Sequence, residues 1–165
     1  MKTVPDPDAH ANAAALLSAW HAHAAACRLY AASLCRWPDD VTQEAFVRLM
    51  RHLQTKPPPD HPRAWLLTAV RSAAADLGKS ETRRRRREQA VAMFDVASSA
   101  PTQDADVQAA LETLPQLQRE AIVLRLWCGL SFEDVATLLA VSPSTAHGRY
   151  TAGLDQLRQL LQDDD

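Results

Sequence analysis

The chain has 165 residues, enough for one ordinary domain or two small ones. Thirty Ala against ten Val and one Ile favour helices over strands, and the four Gly form neither G-x-G-x-x-G nor G-x-x-x-x-G-K, which argues against a phosphate-cradling loop. The net charge of −2 argues against a nucleic-acid partner until the chain is divided, for residues 1–88 carry a balance of +5 and residues 89–165 one of −7.

Four helical segments are expected in the first ninety residues. The first, Ala13 to Trp37, places Leu16, Trp20, Ala24, Cys27 and Ala31 near helical spacing, and Pro38 is expected to end it. Asp39 and Asp40 then favour a helix start, followed by a stripe of Val41, Ala45, Leu49 and Leu53 that passes through His52. Four prolines between Thr55 and Pro62 predict a stiff, extended loop. Ala64, Trp65, Leu66, Ala69, Val70, Ala73 and Leu77 mark a third helix, carried past a bend at Gly78 into a fourth segment, the run Arg83–Arg87.

The stretch from Phe94 to Asp106 is small, polar and interrupted by Pro101, and reads as an interdomain linker. The expected organisation is two small helical domains, residues 1–92 and 108–165, joined by a linker over 93–107. Beyond the linker, Val107–Leu114 and Gln116–Cys128 read as short helices broken at Pro115, with Gly129 closing the second. Ser131, with Asp134 three residues on, resembles a capping box before a helix of about two turns. Ala140-Val141 makes a turn, and Ser142 with Pro143 starts a longer helix. In that helix Ala146, Tyr150, Leu154, Leu157 and Leu161 form a buried stripe, while His147, Gly148, Arg149 and Thr151 are expected to face outward.

Short helix, tight turn and capped longer helix is the pattern of a helix-turn-helix. Its second helix would bring Ser144, Thr145, His147, Arg149 and Thr151 to the base edges or phosphates of duplex DNA. Two packed amphipathic helices without a DNA role would show the same periodicity, and the −7 balance of this half opposes phosphate binding.

Three cysteines, Cys27, Cys35 and Cys128, form no C-x-x-C pair and read as reduced, buried thiols of a cytoplasmic protein. Two prolines and two aspartates in the first twelve residues argue against a signal peptide, and no apolar run approaches a membrane span. His21 and His23, two apart on a helix, point to different faces and so do not suggest a metal site. Ser131 and Ser142 read as caps before nucleophiles. No cofactor, metal or catalytic constellation is expected, and the chain does not read as an enzyme.

The residues also carry a family likeness. Leu114-Pro115, Arg119 through Trp127, Leu130 through Ala136 and Val141 through Ala146 resemble region 4 of bacterial sigma factors. The similarity is to the small extracytoplasmic-function (ECF) group of the sigma-70 family. Asp39 through Leu49 resembles the acidic Gln-Glu helix of region 2 in that group, and Pro62-Arg63-Ala64-Trp65-Leu66 with the helix through Arg71 and Asp76 resembles its promoter-facing helix.

The resemblance implies a factor that binds core RNA polymerase and directs transcription initiation at promoter DNA, both duplex and melted non-template strand. It implies that Asp39, Asp40, Gln43, Glu44, Arg48 and Arg51 line the polymerase-docking surface. The proline loop would hold a base flipped from the minus-10 element, with Lys56, His61 and Arg63 as its candidate contacts. Arg71, Lys79 and Arg83, Arg84, Arg85, Arg86 and Arg87 would meet the same region, and the helix-turn-helix would meet the minus-35 element. An anti-sigma factor is a further implied partner. Ser72, Ala140 and Gly148 depart from the family pattern, standing where asparagine, glycine and a basic residue are common. A polymerase-independent helix-turn-helix regulator, or a degenerate sigma-like protein, are the alternatives.

Overall fold

The computed structural model describes residues 7–88 and 109–162, with side chains over 10–79 and 109–160. All regular structure among these residues is helical. The chain divides into two compact units, Met1–Ala75 and Asp76–Asp165. The linker expected over 93–107 lies outside the described residues.

In the N-terminal unit, helix α1 spans Pro7–Leu34 and α2 spans Pro38–Leu53. The break between them differs from the expected one. Proline disfavours helical backbone at the residue before it, and Trp37 accordingly takes φ −123° and ψ 67°. Helix α1 therefore stops at Leu34, short of Trp37, while Pro38 opens α2 at a position where its missing N–H costs nothing. Asp39 and Asp40 occupy the first turn of α2, and the Thr42 hydroxyl donates to the Pro38 carbonyl at 2.7 Å.

Helix α1 packs along α2. The predicted stripe of α2 is buried in full, joined by Thr42 and Phe46. On α1 the buried residues are Ala19, Cys27, Tyr30, Ala31 and Ser33. Trp20, expected in the stripe, is 46 % exposed and stands edge-on to Phe46 at 4.7 Å between centroids. Small Ala residues let the helices approach closely, so a ring as large as Trp20 is accommodated at the rim. Cys27 is buried as expected, but Cys35 is only half-buried, and that burial pushes its thiol upward from the ordinary value.

Helix α3 runs without interruption over Pro62–Glu88. The helix passes through Gly78 without a break, so described residues 7–88 form three helices where four segments were expected. A lone glycine weakens a helix by about 1 kcal/mol but does not by itself turn it. Leu66, Leu67, Ala69, Val70, Ala73 and Ala74 are its buried face.

In the C-terminal unit, α4 is described over 109–113 and α5 spans Gln116–Ile122. The start at Val107 lies outside the described residues. Pro115 separates the two, and its carbonyl accepts from Gln118 and Arg119 at 3.0 and 3.1 Å. Helix α5 continues into one wide turn, Val123–Trp127, where Cys128 N–H reaches back five residues to the Val123 carbonyl at 3.0 Å. Gly129 then takes φ 64°, the left-handed exit that glycine adopts freely. The wide turn turns Leu126 and Trp127 outward while Val123, Leu124 and Cys128 stay buried.

Helix α6 spans Phe132–Leu139 and α7 spans Pro143–Gln162. Both predicted caps are present. Ser131 Oγ accepts from Asp134 N–H at 3.1 Å and donates to the Asp134 carboxylate at 2.8 Å. Ser142 Oγ accepts from Thr145 N–H at 3.1 Å. Between the helices Ala140 sits at φ 54° and ψ 49°. A left-handed alanine costs about 1–2 kcal/mol, which the burial of Val135, Ala136, Leu138 and Leu139 around the turn offsets.

Leu111, Leu114, Ile122 and Leu157 form one buried cluster, with Ala110, Tyr150 and Leu154 packed against it. Tyr150 and Leu154 are thus half-buried members of the predicted stripe, and the side chain of Leu161 lies outside the described residues. Two buried features carry no sequence signal. Glu120 is fully enclosed and accepts from Gln116 Nε2 at 3.0 Å, while Gly153 lets α7 come down onto Ile122 and Gln118 of α5.

Candidate protein and nucleic-acid interfaces

The N-terminal unit presents two surfaces. The first is the polar side of α2, where Asp39, Asp40, Gln43 and Arg51 are exposed and Glu44 and Arg48 are half-buried. At about 100° per residue they cover the half of the helix opposite its buried stripe. Three of them are already engaged. Asp39 receives Arg28 Nε at 2.6 Å and Nη2 at 3.5 Å, and this pairing holds its carboxyl below the ordinary carboxylate value. Arg48 Nε meets Glu44 at 2.9 Å, and its Nη1 donates to Ser72 Oγ of α3 at 3.1 Å. Arg48 is thus a strut between α2 and α3, and the serine at the position of family departure is its partner. Arg28, eleven residues from Asp39, has no local signal that would have joined it to this face.

The second surface is the loop between Leu53 and Pro62. Lys56 and His61 lie on either side of three consecutive prolines and are exposed, as is Arg63 in the first turn of α3. Trp65 is half-buried and packs against His52 with centroids 5.2 Å apart. It is a packing residue of the helix pair, as its place in the apolar pattern suggested. Arg63 also bears on α1: its charge and burial of the ring together hold the His23 imidazole below its ordinary value, burial being the larger cause. Along α3, Thr68 and Ser72 are exposed and Arg71 is half-buried, and Lys79, past the unit's boundary at Ala75, is exposed as well. The run Arg83–Arg87 continues the helix, and its side chains lie outside the described residues.

In the C-terminal unit the start of α7 is the candidate DNA-reading element. Ser144, Thr145 and His147 are exposed, whereas Arg149 and Thr151, expected to face outward, are half-buried. At about 100° per residue, position 149 flanks the buried line of Ala146 and Gly153. The Thr151 hydroxyl donates back to the His147 and Gly148 carbonyls at 3.2 and 3.1 Å. Ser142 Oγ lies 2.9 Å from Ser144 Oγ and 2.8 Å from Thr145 Oγ1, so these hydroxyls also order the cap. His147 stands edge-on to Phe132 at 5.0 Å, and the Arg125 guanidinium lies 5.0 Å from the centroid of that same ring. Arg125 Nη1 donates in addition to the Leu130 carbonyl at 2.9 Å. Neither Arg125 nor Phe132 was singled out by sequence reading, because their proximity depends on the wide turn at the end of α5.

Among the described residues no helix is long and apolar enough to cross a membrane.

Comparison with known proteins agrees with this geometry. The family model "Sigma-70 region 2" matches residues 18–88, and "Sigma-70, region 4" matches residues 104–157. The chain is 34% identical over 131 residues to the ECF RNA polymerase sigma factor EcfG of Rhodopseudomonas palustris (strain TIE-1), covering 74% of this chain and 70% of that protein. It is 31% identical over 132 residues to the RNA polymerase sigma factor CarQ of Myxococcus xanthus, covering 74% of each. Among solved structures, the sigma factor RpoE of Bartonella quintana, crystallised with the anti-sigma factor NepR, superposes with a TM-score of 0.72. That match has 25% identity and covers 86% of this chain and 93% of the other. The fold is also that of CnrH, solved with the cytosolic domain of CnrY, at a TM-score of 0.60, 24% identity and coverage of 97% and 100%. With two region models in order along the chain and relatives above 30% identity matched over about 70% or more of their length, the chain belongs to the sigma-70 family as an ECF-type RNA polymerase sigma factor, which directs core polymerase to promoters to begin transcription.

Proposed function

We propose that the two halves divide the work of initiation, with residues 1–92 docking on polymerase and opening the minus-10 element and residues 108–165 reading the minus-35 element through α7. The carrying observation is that the polar face of α2 and the exposed cations of the proline loop belong to one compact unit. Asp40, Gln43 and Arg51 supply exposed polar contacts to polymerase, with Asp39, Glu44 and Arg48 contributing from preformed pairs that cost little further ordering. Lys56, His61 and Arg63 face the opened strand, and Arg71, Lys79 and Arg83–Arg87 supply phosphate attraction. Ser144, Thr145, His147, Arg149 and Thr151 meet duplex DNA. The acidic balance of this half makes its own affinity weak, and tethering on polymerase raises it. The protein works in the cytoplasm, and an anti-sigma factor, as bound by the Bartonella relative, is its regulatory partner.

The test mixes the full chain with core polymerase and promoter fragments, scoring opening by the reactivity of unpaired thymines. Association and opening are expected. Failure to associate would sink the docking role and favour the polymerase-independent regulator, and association without opening would favour the degenerate factor. Arg51→Glu reverses an exposed charge and should weaken core binding about tenfold, leaving thermal stability and duplex-DNA binding unchanged. Equal loss of duplex binding would contradict the division of roles.

A second variant addresses the weak half. A Cβ at Gly148 would meet nothing within 4 Å, and the position is exposed, so a longer side chain can start there without a clash. Gly148→Arg should tighten duplex binding and steepen the slope of log K against log salt by about one. An unchanged slope would remove the start of α7 from the DNA interface.

A further inference from the structure

One side chain closes the end of α2 and the proline loop into a circuit. His52 Nε2 lies 3.1 Å from the Pro57 carbonyl oxygen. The His52 carbonyl accepts from Thr55 N–H at 3.1 Å and Lys56 N–H at 2.9 Å, gathering in the start of the loop. Its ring packs on Trp65 at 5.2 Å, and Trp65 N–H donates at 3.0 Å to the carbonyl of His61, the last loop residue. A residue at the loop's entrance therefore holds its middle directly, and its ring packs on the first turn of α3, where the loop ends.

The chemistry explains why a side chain is needed there. Pro57, Pro58 and Pro59 have no N–H, so this stretch cannot tie itself down by donating to backbone. Its carbonyls remain, and the one at Pro57 goes to His52. A carbonyl can only accept, so the bond requires a proton on Nε2. The neutral Nε2–H tautomer and the imidazolium both carry one, so the strap does not depend on the charge of the ring.

We propose that His52 is a positioning residue for promoter opening: its imidazole straps the loop so that Lys56 and His61 meet an unstacked base in one fixed geometry. This rests on the reading above that the loop faces the opened strand. A loop ordered in advance loses less freedom when the base arrives, and the saved ordering entropy appears as easier opening.

The test compares His52→Leu, which keeps apolar bulk against Trp65 without a donor, with His52→Gln, which restores an N–H donor. Two readouts use the full chain: amide exchange across residues 54–65 in the free protein, and thymine reactivity after assembly with core polymerase. His52→Leu should speed exchange in the loop and reduce opening about tenfold, with core association unchanged within about twofold. His52→Gln should recover most of both losses. Unchanged exchange in His52→Leu would overturn the strap, and faster exchange with full opening would overturn the positioning role. Equal defects in the two variants would make His52 a packing residue and overturn the hydrogen bond's part. If wild-type protein opens no promoter, the proposed function and the positioning role both fall, while the exchange comparison still judges the strap separately.

Discussion

Gly153→Leu is expected to unfold the helix-turn-helix unit. A Cβ at position 153 would stand 2.7 Å from Ile122 Cδ1 and 3.1 Å from Gln118 Cβ. Ile122 is fully buried, so its terminal methyl has nowhere to retreat, and Gln118 Cβ is fixed to the α5 backbone. Leucine adds three further carbons to that clash, and the cost should be about 3 kcal/mol or more. Amide exchange should accelerate across α5–α7 while α1 and α2 keep their protection, and duplex-DNA binding should disappear with core association retained. Gly153→Ala alone should cost less, since better helix propensity offsets part of the overpacking. Adding Ile122→Ala opens space for the new methyl, so the double variant should be less destabilised than the sum of the singles. Simple additivity would show that the contact does not limit how closely α7 approaches α5.

The complementary result concerns the N-terminal unit. Tyr30 is fully buried on α1, as are Leu49 of α2 and Leu66 and Leu67 of α3, all 2 % exposed or less. Tyr30→Ala removes a large ring from a close-packed site and should destabilise this unit by about 3–5 kcal/mol. Exchange should rise in α1 and α2, core association should be lost, and protection in α5–α7 should persist. Chemical denaturation of the full chain should then show an early transition for the N-terminal unit. A single transition in both Tyr30→Ala and Gly153→Leu would mean that the two units unfold together.

The two expectations draw on different information. Much of the helix-turn-helix was legible in the sequence because its signals are local. Ser131 and Ser142 cap helices that begin one residue later, Pro143 opens the second helix, and Gly129 takes a left-handed exit, all within one turn of the residues that announce them. The stripe on α2 was legible for the same reason: burial at Val41, Ala45, Leu49 and Leu53 follows a 3.6-residue period.

Errors arose where a local signal was ambiguous. Pro38 can end one helix or begin the next, and here it begins one because Trp37 takes the restriction that proline imposes on its predecessor. Gly78 can break a helix or lie within it, and it lies within α3. Arg149 and Thr151 were placed by period alone, whereas their exposure depends on what α7 packs against.

For the candidate sites, the sequence alone determined which residue types stand on which element: the charged face of α2, the stiff proline loop, and the capped helix proposed to meet DNA. It also determined the contrast between a basic half and an acidic half that a net charge of −2 conceals. Only tertiary structure decided which of those residues were committed elsewhere. Arg48 is drawn to Ser72, 24 residues away, Asp39 to Arg28, and Gly153 to Ile122, 31 positions apart in sequence. His52 and Pro57 are near in sequence, yet their bond requires the loop to fold back over the end of α2. Hydrogen bonds and van der Waals contacts act over a few ångströms of space, and chain periodicity predicts that space only within a helix, so packing between helices alone could assign these partners.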